Sequence, residues 1–185
     1  MQVLQKEEYY TYADYAAWDD DARWELIDGA PHMMSPAPRT KHQRLIGEIF
    51  RQFSNFLIGK TCEAFVAPFD VRLNADTYDD TVVQPDISIV CDKSKIDKKG
   101  CRGAPDMIVE ILSPSSLGYD RVLKFNKYLQ AGVREYWIVD PEGKTVSVHI
   151  LENGKYVATA YGETDSVPVH VLEGCEIDMG IVFAE

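Results

Sequence analysis

Two carboxylates set in apolar runs, with a lysine on the next helix, are the residues of this chain whose types and spacing could do chemistry. The runs are Val82-Val83-Gln84-Pro85-Asp86-Ile87-Ser88-Ile89-Val90 and Pro105-Asp106-Met107-Ile108-Val109-Glu110-Ile111-Leu112. Both read as strands, and Glu110 sits inside the second. A carboxylate there must be paired, hydrogen-bonded or bound to a cation, because bare charge in low dielectric is prohibitive. Lys124 follows on the segment that reads as the helix packed beside that strand. Two carboxylates and an ammonium converging at a sheet edge would hold a hard cation beside a charge stabiliser, as a metal-dependent phosphodiesterase requires. The spacing alone is equally compatible with a partly buried Glu110–Lys124 ion pair that does no chemistry.

The elements that must bring these groups together are legible in outline. Thr11 followed by Asp14 marks a helix start, with Tyr12, Tyr15 and Trp18 as its partners. Trp24 to Ile27, Asp28-Gly29 and Ala30 to Met34 read as a hairpin, since Asp-Gly suits a turn needing positive φ at both central residues. From Lys41 to Ile58, the set Leu45, Ile46, Ile49, Phe50, Phe53, Phe56, Leu57 repeats at helical spacing, and Gly59 stops it. Strands are expected over Ala64–Ala67, Asp70–Leu73 and, as one element, Val82–Val90, with a charged loop over Asp92–Gly103. After the Glu110 strand, Ser113-Pro114-Ser115-Ser116 supplies capping and first-turn residues for a helix running to Ala131. Glu135–Val139 is a buried strand. The tail reads as a meander over Thr145–Leu151, Tyr156–Tyr161 and Val167–Leu172.

Strand, helix, strand from Met107 through Val139 implies a βαβ unit and hence parallel pairing, while the hairpins imply antiparallel pairing. The fold class is therefore α/β (α+β) with a mixed sheet. On the Glu110 strand, Asp106, Ile108, Glu110 and Leu112 share one face. On the following helix Asp120, Lys124 and Tyr128 share one stripe. Lys124 reaches Glu110 only if that stripe lies over the strand end.

Bulk properties bound the function. At 185 residues and 45% hydrophobic, the chain fits one domain, residues 1–185, with a real core. Charges interrupt every long apolar window, and the N-terminal Met-Gln-Val-Leu-Gln-Lys-Glu-Glu has no secretory pattern, so a cytoplasmic protein without membrane partners is expected. Cys62, Cys91, Cys101 and Cys175 lack C-x-x-C or zinc spacing and read as buried or reduced thiols. The net charge of −11 argues against broad nonspecific DNA binding, though basic residues cluster at Arg39–Arg44, Lys93–Arg102 and Arg121–Lys127.

Taken in order, a set of motifs carries a resemblance. They are Trp24-Glu25-Leu26-Ile27-Asp28-Gly29, Met34-Ser35-Pro36 with His42-Gln43-Arg44, Gln84-Pro85-Asp86, Gly103-Ala104-Pro105-Asp106, Val109-Glu110-Ile111-Leu112-Ser113-Pro114-Ser115, Asp120 to Tyr128, and Ala131 to Pro141. Together, from about Thr11 to Val171, they resemble the Uma family of restriction-endonuclease-like proteins within the PD-(D/E)XK nuclease superfamily.

The resemblance implies a restriction-endonuclease-like mixed sheet flanked by helices, and hydrolysis of DNA phosphodiesters dependent on Mg²⁺ (or Mn²⁺). Asp86 matches the PD aspartate and Glu110 the acidic residue of the (D/E)XK element, so both are expected metal ligands. The chain departs from the pattern at Leu112, which stands where the superfamily has lysine. Lys124 looks like its migrated replacement, and Glu25 like an accessory N-terminal carboxylate. His42, Arg44 and Arg121 are the expected nucleic-acid contacts. Cutting both strands of a duplex needs two sites, which fits a homodimer. The alternative is a catalytically inactive nuclease-fold protein serving as a DNA-binding or scaffold module.

Overall fold

Apolar side chains alternate along the strands of the central sheet, and the alternation divides the core in two. A computed structural model describes residues 8–19, 22–34, 39–113 and 119–184, with backbone only at 119–121. In chain order the elements are α1 (Tyr12–Tyr15), β1 (Trp24–Ile27), β2 (Ala30–Met33), α2 (Thr40–Leu57), β3 (Glu63–Val66), β4 (Val71–Arg72), β5 (Val82–Val83), β6 (Ile87–Val90), β7 (Ile96–Asp97), β8 (Gly100–Arg102), β9 (Met107–Ile111), α3 (Tyr119–Ala131), β10 (Glu135–Asp140), β11 (Thr145–Glu152), β12 (Lys155–Tyr161), β13 (Ser166–Pro168), β14 (Glu176–Asp178) and α4 (Met179–Val182).

The central sheet has six strands in the order β12-β11-β10-β9-β6-β3. Only β9 and β10 in it are parallel, joined across α3 as the βαβ pattern requires. A second six-stranded sheet runs β2-β1-β5-β4-β8-β7, and β13 and β14 form a separate pair. The fold is thus a mixed α+β arrangement of two mixed sheets flanked by helices.

One core cluster places Leu45, Ile49 and Phe53 of α2 against Ile87, Ile89, Met107, Val109, Trp137 and Val139. Ile49 and Phe53 are wholly buried, each worth roughly 2–3 kcal/mol of transfer free energy. The other cluster joins Ile108, Tyr136 and Ile138 of the central sheet to Tyr128 of α3 and to Ile27, Val71 and Val83 of the second sheet. Glu110 falls in phase with Ile108, so it faces α3 and the N-terminal hairpin rather than α2.

Several elements differ from expectation. The run Val82–Val90 is two strands in two sheets, because Pro85 has no N–H for a ladder and Gln84-Pro85-Asp86 becomes the link between them. The segment Asp92–Gly103 is not a loop throughout: it forms a single 3-10 turn over Lys93–Lys95 and then the β7–β8 hairpin. Gly100 is required there, since a Cβ would lie 2.1 Å from the Asp70 carbonyl oxygen. The tail meander ends early, with β13 covering only Ser166–Pro168 before turns lead to β14. The predicted cap and first turn at Pro114–Ser116 lie outside the described residues.

The cysteine reading needs correction. Cys62 and Cys91 form a disulfide. The β3–β6 register ends on Glu63 opposite Val90, so the next residues outward on each strand are the two cysteines. No sequence spacing announces a pairing made by strand register. Cys101 and Cys175 are free and buried. Among the described residues no helix is long and apolar enough to cross a membrane.

Candidate active site

Three elements converge at the C-terminal end of β9. The β6–β9 register pairs Ile87 with Val109 and Ser88 with Ile108, which sets Asp86 opposite Glu110 one step further on. The Asp86 carboxylate accepts the Ile111 backbone N–H at 2.8 Å, anchoring the PD link to the strand that carries Glu110. From α3, the Lys124 ammonium reaches Glu110 Oε1 at 3.3 Å and Glu25 Oε1 at 2.8 Å. One turn further along α3, the Tyr128 hydroxyl donates to the same Glu110 oxygen at 2.7 Å. Glu25 is fixed in turn by the Gln84 backbone N–H at 2.9 Å.

The electrostatics follow from burial. Desolvation pushes the Glu110 carboxyl up to about 7, with Asp86 and Glu25 adding to the rise and Lys124 and Tyr128 opposing it. Burial works against the Lys124 ammonium, but Glu110 and Glu25 outweigh it, so its pKa is raised. Burial and the neighbouring Glu110 drive the Tyr128 phenol well above its ordinary value. Formally, Glu25, Asp86 and Glu110 carry three negative charges against the single ammonium of Lys124.

His42, at the start of α2, also reaches this corner. Its Nε2 lies 3.3 Å from Asp86 Oδ2 and 3.1 Å from the Ile111 carbonyl oxygen. Its pKa is raised: burial opposes the charge, but Asp86, the Ile111 carbonyl and Glu110 outweigh that. Its Nδ1 is buried without a hydrogen-bond partner among the described residues.

Asp86, Glu110, Lys124, Glu25 and His42 therefore meet, whereas Arg44 does not join them. It is exposed on α2, two residues on from His42 and so about 200° further round the helix. The Arg121 side chain lies outside the described residues. Much of the remaining basic surface is neutralised, with Lys41 paired to Glu142, Lys93 to Glu63, Arg102 to Asp76 and Lys127 to Asp28.

Among the described residues no three His, Cys, Asp or Glu side chains group as a ready metal cage. The oxygen donors that the register brings to this end of β9 are the carboxylates of Asp86 and Glu110 and the main-chain carbonyl of Ile111, which His42 contacts. All are oxygens, the donor type that suits Mg²⁺ or Mn²⁺, and the formal excess of negative charge fits a divalent ion.

Residues 7–180 match the Uma2 family, described as "Putative restriction endonuclease". The chain belongs to the Uma2 family. An uncharacterized protein of Synechocystis sp. is 26% identical over 159 residues, covering 82% of this chain and 80% of its own length. A crystal structure of a putative nuclease from Anabaena variabilis, assigned to DUF820, superposes with a TM-score of 0.74 at 21% identity. It covers 94% of this chain and 97% of its own. At that identity the likeness is one of fold.

In this Uma2 chain, Leu112, two residues after Glu110, is partly buried and packs against the α3-side core. The groups not anticipated at the site are the Tyr128 hydroxyl and the backbone N–H groups of Gln84 and Ile111. Tyr128 was within reach of sequence reasoning, as it shares the Lys124 stripe on α3. The Gln84 and Ile111 amides act through the backbone, where side-chain identity carries no signal.

Proposed function

We propose that this protein is a divalent-metal-dependent endonuclease that hydrolyses phosphodiester bonds of DNA. Supporting the reading is one arrangement above all: a buried lysine shared by two glutamates, Glu110 and Glu25, at the sheet end where Glu110 lies opposite Asp86. Asp86 and Glu110, with the Ile111 carbonyl, would hold the ion. Once bound there, Mg²⁺ or Mn²⁺ would polarise the scissile phosphate and acidify a coordinated water.

The chain's own groups supply the rest. Lys124 places fixed positive charge beside the reacting phosphate, where preorganised charge stabilises the developing negative oxygens. Glu25 holds that ammonium in position, and Tyr128 orients the Glu110 carboxylate. His42 keeps the Asp86 carboxylate and the Ile111 carbonyl turned towards the same corner. Arg44 and Arg121 are proposed as phosphate contacts. The proposed working form is a homodimer of single domains spanning 1–185, acting on cytoplasmic DNA.

The competing reading is a nuclease-fold DNA-binding or scaffold module. The net charge of −11 and a leucine rather than a lysine two residues after Glu110 favour it, and a purely structural ion pair would also satisfy Lys124, Glu25 and Glu110. Plasmid, branched and single-stranded DNA incubated with Mg²⁺ or Mn²⁺ separate the two. The nuclease reading expects ion-dependent cleavage by the wild type that is lost in Glu110→Gln and Asp86→Ala. Ion-independent binding without cleavage on every substrate would leave only the module.

A further inference from the structure

We infer that β12 is a docking edge for a second copy of this chain, pairing antiparallel with the same strand about a two-fold axis at Thr159. An unpaired sheet edge is a template for another strand, and proteins blunt such edges with charge, proline, brevity or cover. The other edges in this fold are blunted. β2 contains Pro31, β3 has four residues and runs into Pro68, and β7 is two residues long between Lys95 and Lys98. In the separate pair, β13 ends in Pro168 and β14 carries Glu176 and Asp178.

Among the described residues β12 carries one such device, the charge of Lys155 at its first position. Its seven residues are regular, and Tyr156-Val157-Ala158-Thr159-Ala160-Tyr161 is free of charge and proline. Val157 is 51% exposed, and Ala158, Thr159 and Ala160 are exposed beside it.

The backbone parity favours pairing. The Leu151 N–H donates to the Arg134 carbonyl, so odd positions of β11 bond towards β10 and even positions towards β12. Ile150 lies opposite Val157 and Glu152 opposite Lys155, so odd positions of β12 bond inward. The N–H and C=O groups of Tyr156, Ala158 and Ala160 therefore point out from the edge.

A two-fold axis at Thr159 makes the side chains self-complementary. Ala158 then exchanges main-chain hydrogen bonds with Ala160 of the second copy, and the reverse. Thr159 meets Thr159 and Val157 meets Tyr161, each repeated by symmetry on one face, and Lys155 comes to the end of the partner strand, beyond which the turn carrying Glu163 begins. Hydroxyl, aliphatic–aromatic and opposite-charge pairs are the cross-strand combinations that stabilise antiparallel strands. A second copy supplies the first two along the strand and brings opposite charges to its ends, which is why an isologous partner fits this edge. Glu163 already pairs with Lys144 at 2.9 Å and sits exposed beyond the strand end, so Lys155 would join an existing ion pair.

Sedimentation velocity of the full chain, run up to its solubility limit, tests the proposal. The wild type is expected to dimerise reversibly. Lys155→Glu sets like charges at both symmetric ends and should raise the dissociation constant about tenfold, and adding Glu163→Lys should restore it. Ala158→Pro removes an outward donor at a position an edge strand tolerates, and should leave a monomer with a near wild-type thermal transition. Should that variant misfold, the charge-swap pair decides by itself. A wild type monomeric at every concentration overturns the proposal, and so does a dimer indifferent to the charge reversal.

Discussion

Glu25 holds Lys124 more closely than Glu110 does, at 2.8 Å against 3.3 Å. The N-terminal hairpin thus supplies the nearer counter-ion for a lysine whose proposed work lies on the β9 strand. A charge reaching the site from one element is steadied by a second and directed at a third.

Lys124→Met should be strongly destabilising above pH 7, because it leaves Glu25 and Glu110 buried without their cation. Breaking such a pair costs about 3–5 kcal/mol. Adding Glu110→Gln should recover part of the loss. Urea unfolding of the two variants and the double mutant checks this; equal losses in all three would show that the ammonium is not the balancing group.

The pH dependence of stability should run opposite to that of an ordinary carboxylate. Glu110 titrates near 7 in the folded chain, raised by burial from the usual range near 4.5. Between those values the folded state keeps a proton that the unfolded chain has released. The contribution of this group is thus fully present below about pH 4.5 and is lost as pH rises through 7, at up to roughly 1.4 kcal/mol per unit. Glu110→Gln should flatten that slope and be neutral or stabilising at pH 8 in the absence of metal. Mg²⁺ or Mn²⁺, which needs the ionised form, should stabilise the wild type more at pH 8 than at pH 5.5 and the variant at neither. Denaturant midpoints across pH, with and without the ion, read both effects.

Tyr128→Phe removes the hydroxyl that donates to Glu110 at 2.7 Å. Hydrogen bonds to charged groups contribute about 1.5–3 kcal/mol, so a loss of that order is expected at pH 8. Because the hydroxyl favours the carboxylate, its removal should also move the titration of Glu110 upward. An unchanged midpoint in the stability–pH curve would count against a positioning role.

Replacing Cys62 and Cys91 with serine should lower stability by about 3–4 kcal/mol, from the chain entropy released across a sequence separation of 29. The crosslink lies beyond the end of β6 remote from Asp86. Ion-dependent cleavage, measured below the transition, should therefore survive the substitution, and dithiothreitol should reproduce the stability loss in the wild type.

Local pattern was sufficient for the long elements. Helical spacing in α2, the Asp28-Gly29 turn and the strand–helix–strand run around α3 are decided within a few residues by side-chain periodicity and backbone preference. The mixed α+β class follows from them, and the Uma motifs were readable as a series. What failed locally were elements whose identity depends on a distant neighbour. Val82–Val90 looks continuous until Pro85 is seen to hand the chain from one sheet to another. The Asp92–Gly103 segment is polar, yet Asp70 receives the Cys101 amide and makes a strand of part of it at 2.8 Å.

At the site, residue type marked Asp86, Glu110 and Lys124 as groups that needed an explanation, because buried charge is costly wherever it occurs. Their meeting was not in the sequence. Alternation and helical phase give each side chain a face, but not which face of α3 lies over which strand end. Tertiary packing settled that Lys124 is shared with Glu25, that Tyr128 joins it, that His42 arrives from α2, and that Cys62 pairs with Cys91. Each depends on register between segments far apart in the chain, a quantity set by the burial of whole sheets and helices rather than by any residue's immediate neighbours.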